Sequence, residues 1–139
     1  MAGSGVEMTG LSGEGFEFAL RHGPSGATLA TQPPKDNGGT GAAFSPTDLV
    51  GAALMSCALT TMSLAAKREG VAWGATSARV EKRMQAEPRR IAQLTLDLRM
   101  PPGLTGAQRQ HFEQVATQCP VARSLHPDVR LPMTFTYPD

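Results

Sequence analysis

The chain has 139 residues, with thirteen Lys or Arg against twelve Asp or Glu and a net charge of +1. That length suits one domain around a single core, and 40% apolar with 18% charged residues is a globular rather than a disordered composition. The absence of a basic surplus and the scarcity of aromatics (one Trp, one Tyr, five Phe) argue against a nucleic-acid-binding surface.

The first residues, M-A-G-S-G-V-E-M, have neither a basic nor an apolar run, so no signal peptide is expected. Residues 1–12 are expected to be flexible. With only two cysteines and no export signal, the reducing cytoplasm is the expected compartment. Gly15–Arg21 alternates weakly and reads as a strand, paired with a second at Ala27–Thr31 across the turn His22–Gly26. Gln32–Gly41, Q-P-P-K-D-N-G-G-T-G, is a loop by its Pro and Gly content.

A long helix then begins. Ser45 is a good N-cap, Pro46 suits the first helical position, and Asp48 complements the positive end of the helix dipole. Lys67 and Arg68 suit its far end, and Gly70 can terminate it. Leu49–Ala66 holds no charge and reaches the roughly 18 residues of a minimal membrane span. Gly, Ala, Ser and Thr supply about half of it, so the expectation is a helix buried on all sides in a soluble fold.

Val71–Met84 alternates, with Ala78, Val80 and Lys82 on one side. Ile91–Met100 is the clearest strand, with Leu94, Leu96, Leu98 and Met100 on one face. Pro101 and Pro102 break it, and Thr105 followed by Gln108 resembles a capping box opening a second helix. Phe112, Val115, Ala116 and Cys119 form a stripe on that helix, with Cys119 closing it. At the end, Val129, Leu131, Met133, Phe135 and Tyr137 alternate with more polar residues, and Pro132 points to an edge strand or a bulge. Strands, helix, strands, helix and strand in this order imply an α+β fold, expected as one domain over residues 1–139.

The two thiols, Cys57 and Cys119, are sixty-two positions apart. They can be unrelated core residues, a disulfide, metal ligands or a redox pair. Three blocks help to choose: P-P-K-D-N-G-G-T-G, then S-P-T-D-L-V-G-A-A-L-M-S-C, and C-P-V-A-R-S-L-H-P-D-V. Together they resemble the OsmC/Ohr family (osmotically inducible protein C and organic hydroperoxide resistance proteins) over most of the chain from about Gly15. The resemblance implies an intertwined α+β homodimer, an antiparallel sheet wrapped around a buried central helix, with active sites at the subunit interface. It implies reduction of organic hydroperoxides in oxidative-stress defence, with Cys57 as the peroxidatic thiol, Cys119 as the resolving one and a small or protein dithiol as reductant. No cofactor and no metal are implied, and neither nucleic acid nor membrane is an expected partner. Ohr-type members place Glu right after the Pro of the helix-start motif. Here that position is Thr47, and the nearest acid is Asp48. The family's catalytic Arg comes from the N-terminal strand-loop region, where this chain offers Arg21.

A thiol attacks peroxide as thiolate. Leu54, Met55, Ala58 and Leu59 give Cys57 apolar sequence neighbours, and desolvation raises a thiol pKa. A cation is therefore expected from elsewhere in the fold, Arg21 first and Arg123 behind it. Asp48 lies nine residues before Cys57, on the opposite helix face and about 13.5 Å away along the axis. It either caps the helix or orients that cation through a helix break or from a second subunit. Cys119, at a helix C-terminus, sits where the dipole disfavours a thiolate, which suits a resolver.

Rival readings stay open. His126 and Asp128 allow a Cys-His-Asp hydrolase, though they read equally as a turn into the last strand. Cys57, Cys119 and His126 could ligate a metal by residue type, but no CxxC or HxxxH spacing supports it. Met55, Met62, Met84, Met100 and Met133 could line an apolar pocket or simply fill the core. A ligand-binding or hydrolase-like relative without peroxidase turnover is the alternative function.

Overall fold

Two three-stranded sheets and three α-helices are present among the described residues, Gly3 and 5–139, of a computed structural model. In chain order they are β1 (Met8–Ser12), β2 (Phe18–His22), β3 (Thr28–Thr31), a 3-10 turn at Lys35–Asn37, α1 (Pro46–Glu69), β4 (Ser77–Gln85) and β5 (Arg90–Arg99). Then come α2 (Gly106–Thr117), α3 (Pro120–Ser124) and β6 (Met133–Thr136). The chain divides into two units, Met1–Leu49 and Val50–Asp139.

The first unit is an antiparallel meander, β1-β2-β3. β2 and β3 lie where the weak alternation and the His22–Gly26 turn place them, with Gly26 at φ +74°. β1 is a correction to the sequence reading, because Met8–Ser12 pairs along its length with β2. All five of its residues are exposed, Met8 and Leu11 at 69% and 73%, so no buried face imposes a period of two on its sequence.

α1 has the ends that its sequence specifies. The Ser45 Oγ accepts the Asp48 N–H at 3.0 Å, and the Asp48 carboxylate accepts the Ser45 N–H at 2.9 Å. This is a reciprocal cap of two otherwise orphaned donors. At the other end Gly70 takes φ +69°, its N–H reaching the Lys67 carbonyl and the Val71 N–H the Ala66 carbonyl, a Schellman stop.

In the second unit the sheet order is β4-β5-β6. β4 and β5 form an antiparallel hairpin with a register shift at Arg83/Met84, while β6 runs parallel to β5 after the α2–α3 crossover. The sheet is therefore mixed, antiparallel at one edge and parallel at the other. β6 is the expected edge strand: Pro132 has no N–H to donate, but its carbonyl accepts from Leu96 at 2.9 Å. Leu94, Leu96, Leu98 and Met100 of the β5 face are all buried, and Phe112 and Ala116 of α2 close over the same core. Burying each such large side chain contributes about 1.5–3 kcal/mol.

α1 adds a narrower stripe than expected. Gly51, Leu54, Ala58, Met62, Ala65 and Ala66 are buried, whereas Ala53, Ser56, Thr60 and Leu64 on the far side are exposed. α1 is long and apolar enough to cross a membrane by length and composition. Its buried stripe instead joins the β5 leucines in one core, with a Cβ on Gly51 just reaching Leu94 and Val80. Met62 and Met100 lie inside that core, and Met55 and Met133 pack against it.

The chain's last residues close over α2. The Tyr137 hydroxyl donates to Glu113 at 2.5 Å, and burial, then Glu113, push its ionisation far above the usual range. The Arg109 guanidinium lies 4.1 Å over the Tyr137 ring and donates to the Asp139 carboxylate at 3.0 Å. Leu96→Ala should lower unfolding stability by about 2–5 kcal/mol through the cavity it leaves. Gly70→Ala should cost about 1 kcal/mol through its left-handed backbone. Urea titration of both variants against wild type checks the pair.

Candidate functional site

Cys57 lies about three turns into α1, between the fully buried Leu54 and Ala58 positions, and keeps partial solvent access. Cys119 is fully buried. Both are free thiols, and the fold brings them near enough for each to act on the other's ionisation. The second unit thus joins two residues sixty-two positions apart.

Cys119 does not close a helix, which corrects the sequence reading. α2 stops at Thr117 with Gln118 as its C-cap, and Cys119 is the N-cap of α3 with Pro120 in the first helical position. The signal lay in the Cys119-Pro120 pair, since Pro is favoured at the first position of a helix. The change matters chemically. Donor N–H groups, rather than acceptor carbonyls, now face the sulfurs: the Val121 N–H reaches Cys57, and those of Ala122 and Val121 point toward Cys119 without completing a side-chain cap.

The two thiols differ in consequence. Burial opposes ionisation of Cys57, but the Val121 N–H, the Thr61 hydroxyl and the Cys119 thiol together more than offset it, and its pKa lies below the ordinary thiol value. Burial pushes the Cys119 pKa up against the pull of the Ala122 N–H, and the neighbouring Cys57 sulfur raises it further. Cys57 therefore ionises first, and Cys119 donates its S–H to the resulting thiolate. Within the second unit, the groups that lower the Cys57 pKa are all neutral. Sequence reading missed Val121 and Thr61 because one acts through its backbone and the other carries no motif.

The other candidates have local partners. Asp48 caps α1, as described above. Arg21 stands on β2 opposite Thr9 and Thr28, its Nη2 lying 3.3 Å from where a Cβ on Gly26 would be. Both belong to the first unit. Arg123 donates from Nε and Nη2 to the Gln118 carbonyl and side chain, at 2.8 and 3.1 Å. His126 accepts the Asp128 N–H on Nδ1 at 3.0 Å in an exposed turn, the local arrangement its sequence allows. Among the described residues no group of three or more His, Cys, Asp or Glu is placed to hold a metal ion.

An α+β fold whose long helix buries one stripe in the core, with two thiols that act on each other, defines the class. The sequence profile of the OsmC-like protein family matches residues 39–133, and the chain belongs to that family. It is 31% identical to a protein of Psychrobacter arcticus 273-4 described as an osmotic stress induced and detoxification response protein, covering 98% of each chain with a TM-score of 0.86. An organic hydroperoxide resistance protein OsmC from Legionella pneumophila is 18% identical, with TM-score 0.76 over 98% of this chain and 99% of that one. An organic hydroperoxide resistance protein from Elizabethkingia anophelis is also 18% identical, with TM-score 0.73 over 98% of each chain. Curated proteins give no match.

Alkylation by iodoacetamide, followed residue by residue against pH, reads the asymmetry. Because its pKa is lowered, Cys57 should reach full reactivity at a lower pH than a free thiol, and Cys119 only at a higher one. Cys119→Ala, which removes an S–H donor, should move the Cys57 midpoint up.

Proposed function

We propose that the protein is a thiol-dependent peroxidase that reduces organic hydroperoxides in oxidative-stress defence, using Cys57 and Cys119 as its redox pair. The observation that carries this reading is a pair of thiols that act on each other and whose ionisation is displaced in opposite directions. Family membership and the fold shared with organic hydroperoxide resistance proteins support it.

The Cys57 thiolate attacks the terminal oxygen of ROOH. The O–O bond breaks, the alkoxide leaves to be protonated as ROH, and Cys57 becomes a sulfenic acid. Cys119 then attacks the Cys57 sulfur, a disulfide forms, and the sulfenic oxygen departs as water. An external dithiol reduces the disulfide and restores both thiols. Since neutral donors already favour the Cys57 thiolate, the role left for a cation is at the leaving alkoxide. In this proposal Arg21 supplies that charge and Asp48, beyond its cap, orients it. The reaction runs in the cytoplasm without cofactor.

The functional unit we propose is a homodimer. The exposed side chains of Met8, Leu11, Phe16 and Leu64 support cover by a second copy. Sedimentation should return twice the 14.6 kDa chain mass. A monomer at micromolar concentration would remove this part.

Peroxide consumption with dithiothreitol as reductant tests the chemistry. With the reductant, wild type should turn over and Cys57→Ser should fall to the uncatalysed rate; without it, Cys119→Ser should consume one equivalent and hold an oxidised Cys57. Wild-type thiols that persist through excess hydroperoxide would sink the proposal.

A further inference from the structure

Two hydroxyl side chains two residues apart on α1 take different partners. Ser63 turns its Oγ back to the Leu59 carbonyl at 2.9 Å, the usual bond of a hydroxyl inside a helix. Thr61 instead sets its Oγ1 3.7 Å from the Cys57 Sγ, a distance within sulfur hydrogen-bonding range. The four-residue spacing places Thr61 one turn beyond Cys57 on the same face. Among the described residues no second hydrogen bond fixes that hydroxyl, so its proton can follow the charge on sulfur.

We propose that Thr61 is a catalytic residue, a hydroxyl donor that touches the reacting Cys57 sulfur and stabilises it as thiolate. The position is favourable for three reasons. Thr61 is half-buried, so water competes little for the hydroxyl. Its β-branched side chain has few rotamers in a helix, which limits the entropy lost on aiming Oγ1. Its donor comes from the same helix as the sulfur, so it keeps its place whatever Cys119 does. When Cys119 turns from hydrogen-bond donor to disulfide partner, Thr61 and the Val121 N–H are the donors that stay.

The role of Thr61 in turnover rests on the peroxidase reading, but its effect on the thiol does not. The experiment therefore measures alkylation of Cys57 by iodoacetamide between pH 5 and 10, in the full-length reduced protein, for wild type, Thr61→Val, Thr61→Ser and Thr61→Ala. Val matches Thr in shape and Ala matches Ser without the γ-methyl, so each pair differs mainly in the hydroxyl. The expected result is a rate constant at pH 7 lower by about two- to tenfold in Val than in Thr and in Ala than in Ser, the effect of one lost hydrogen bond. The pH midpoint should rise in the same two variants. Equal rates and midpoints within both pairs would overturn the inference, as would a Ser variant that falls as far as Val. If the alkylation profiles shift as expected while peroxide turnover is absent from wild type, Thr61 acts on the thiol and the peroxidase reading fails.

Discussion

Close approach of α1 to the β4–β5 hairpin is the constraint on which the second unit rests. Gly51 has space for no more than a methyl before Leu94 and Val80, and Ala58, Ala65 and Ala66 continue the same narrow ridge down the helix. Small residues let the helix axis sit near the sheet, while Leu54 and Met62 fill the gaps between them. Cys57 rides one position from this ridge. Any outward shift of the helix would therefore carry the sulfur away from Val121 and Cys119, which are anchored by α2 and the crossover. Packing of this kind transmits position because cores resist compression.

Much of this was legible in the chain. Period-two leucines over Ile91–Met100, the reciprocal caps at Ser45 and Thr105, and the stop at Gly70 are local chemistry written into adjacent residues, and each stands in the structure. β1 was not legible, because a strand exposed on both faces has no hydrophobic period to show. All-round burial of α1 was an over-reading of its low charge: small and hydroxyl side chains are tolerated at exposed positions as readily as inside. Cys119 was misplaced by two residues of helix end, within the usual uncertainty of such boundaries. The helical stripe through Phe112 and Ala116 extended to it by spacing, although the chain had already turned at Gln118.

That small displacement reverses the local electrostatics. A sulfur at the end of α2 would face carbonyls, whereas a sulfur at the start of α3 faces N–H groups. The asymmetry between the thiols survives, but its origin moves from a helix dipole to solvent. Cys119 resists ionisation because it is buried beside another sulfur, and Cys57 ionises because it keeps some water and gains three donors. One thiol's loss of hydration and the other's gain of hydrogen bonds belong to the same contact.

The neutrality of those donors has a bearing on ionic strength. Mobile ions screen fixed charges over a Debye length of about 8 Å at physiological salt, but they leave a hydroxyl, an amide N–H or a thiol dipole at contact distance almost untouched. A thiolate held by a guanidinium loses part of its support as electrolyte accumulates. The Cys57 thiolate, held by Val121, Thr61 and Cys119, keeps its own.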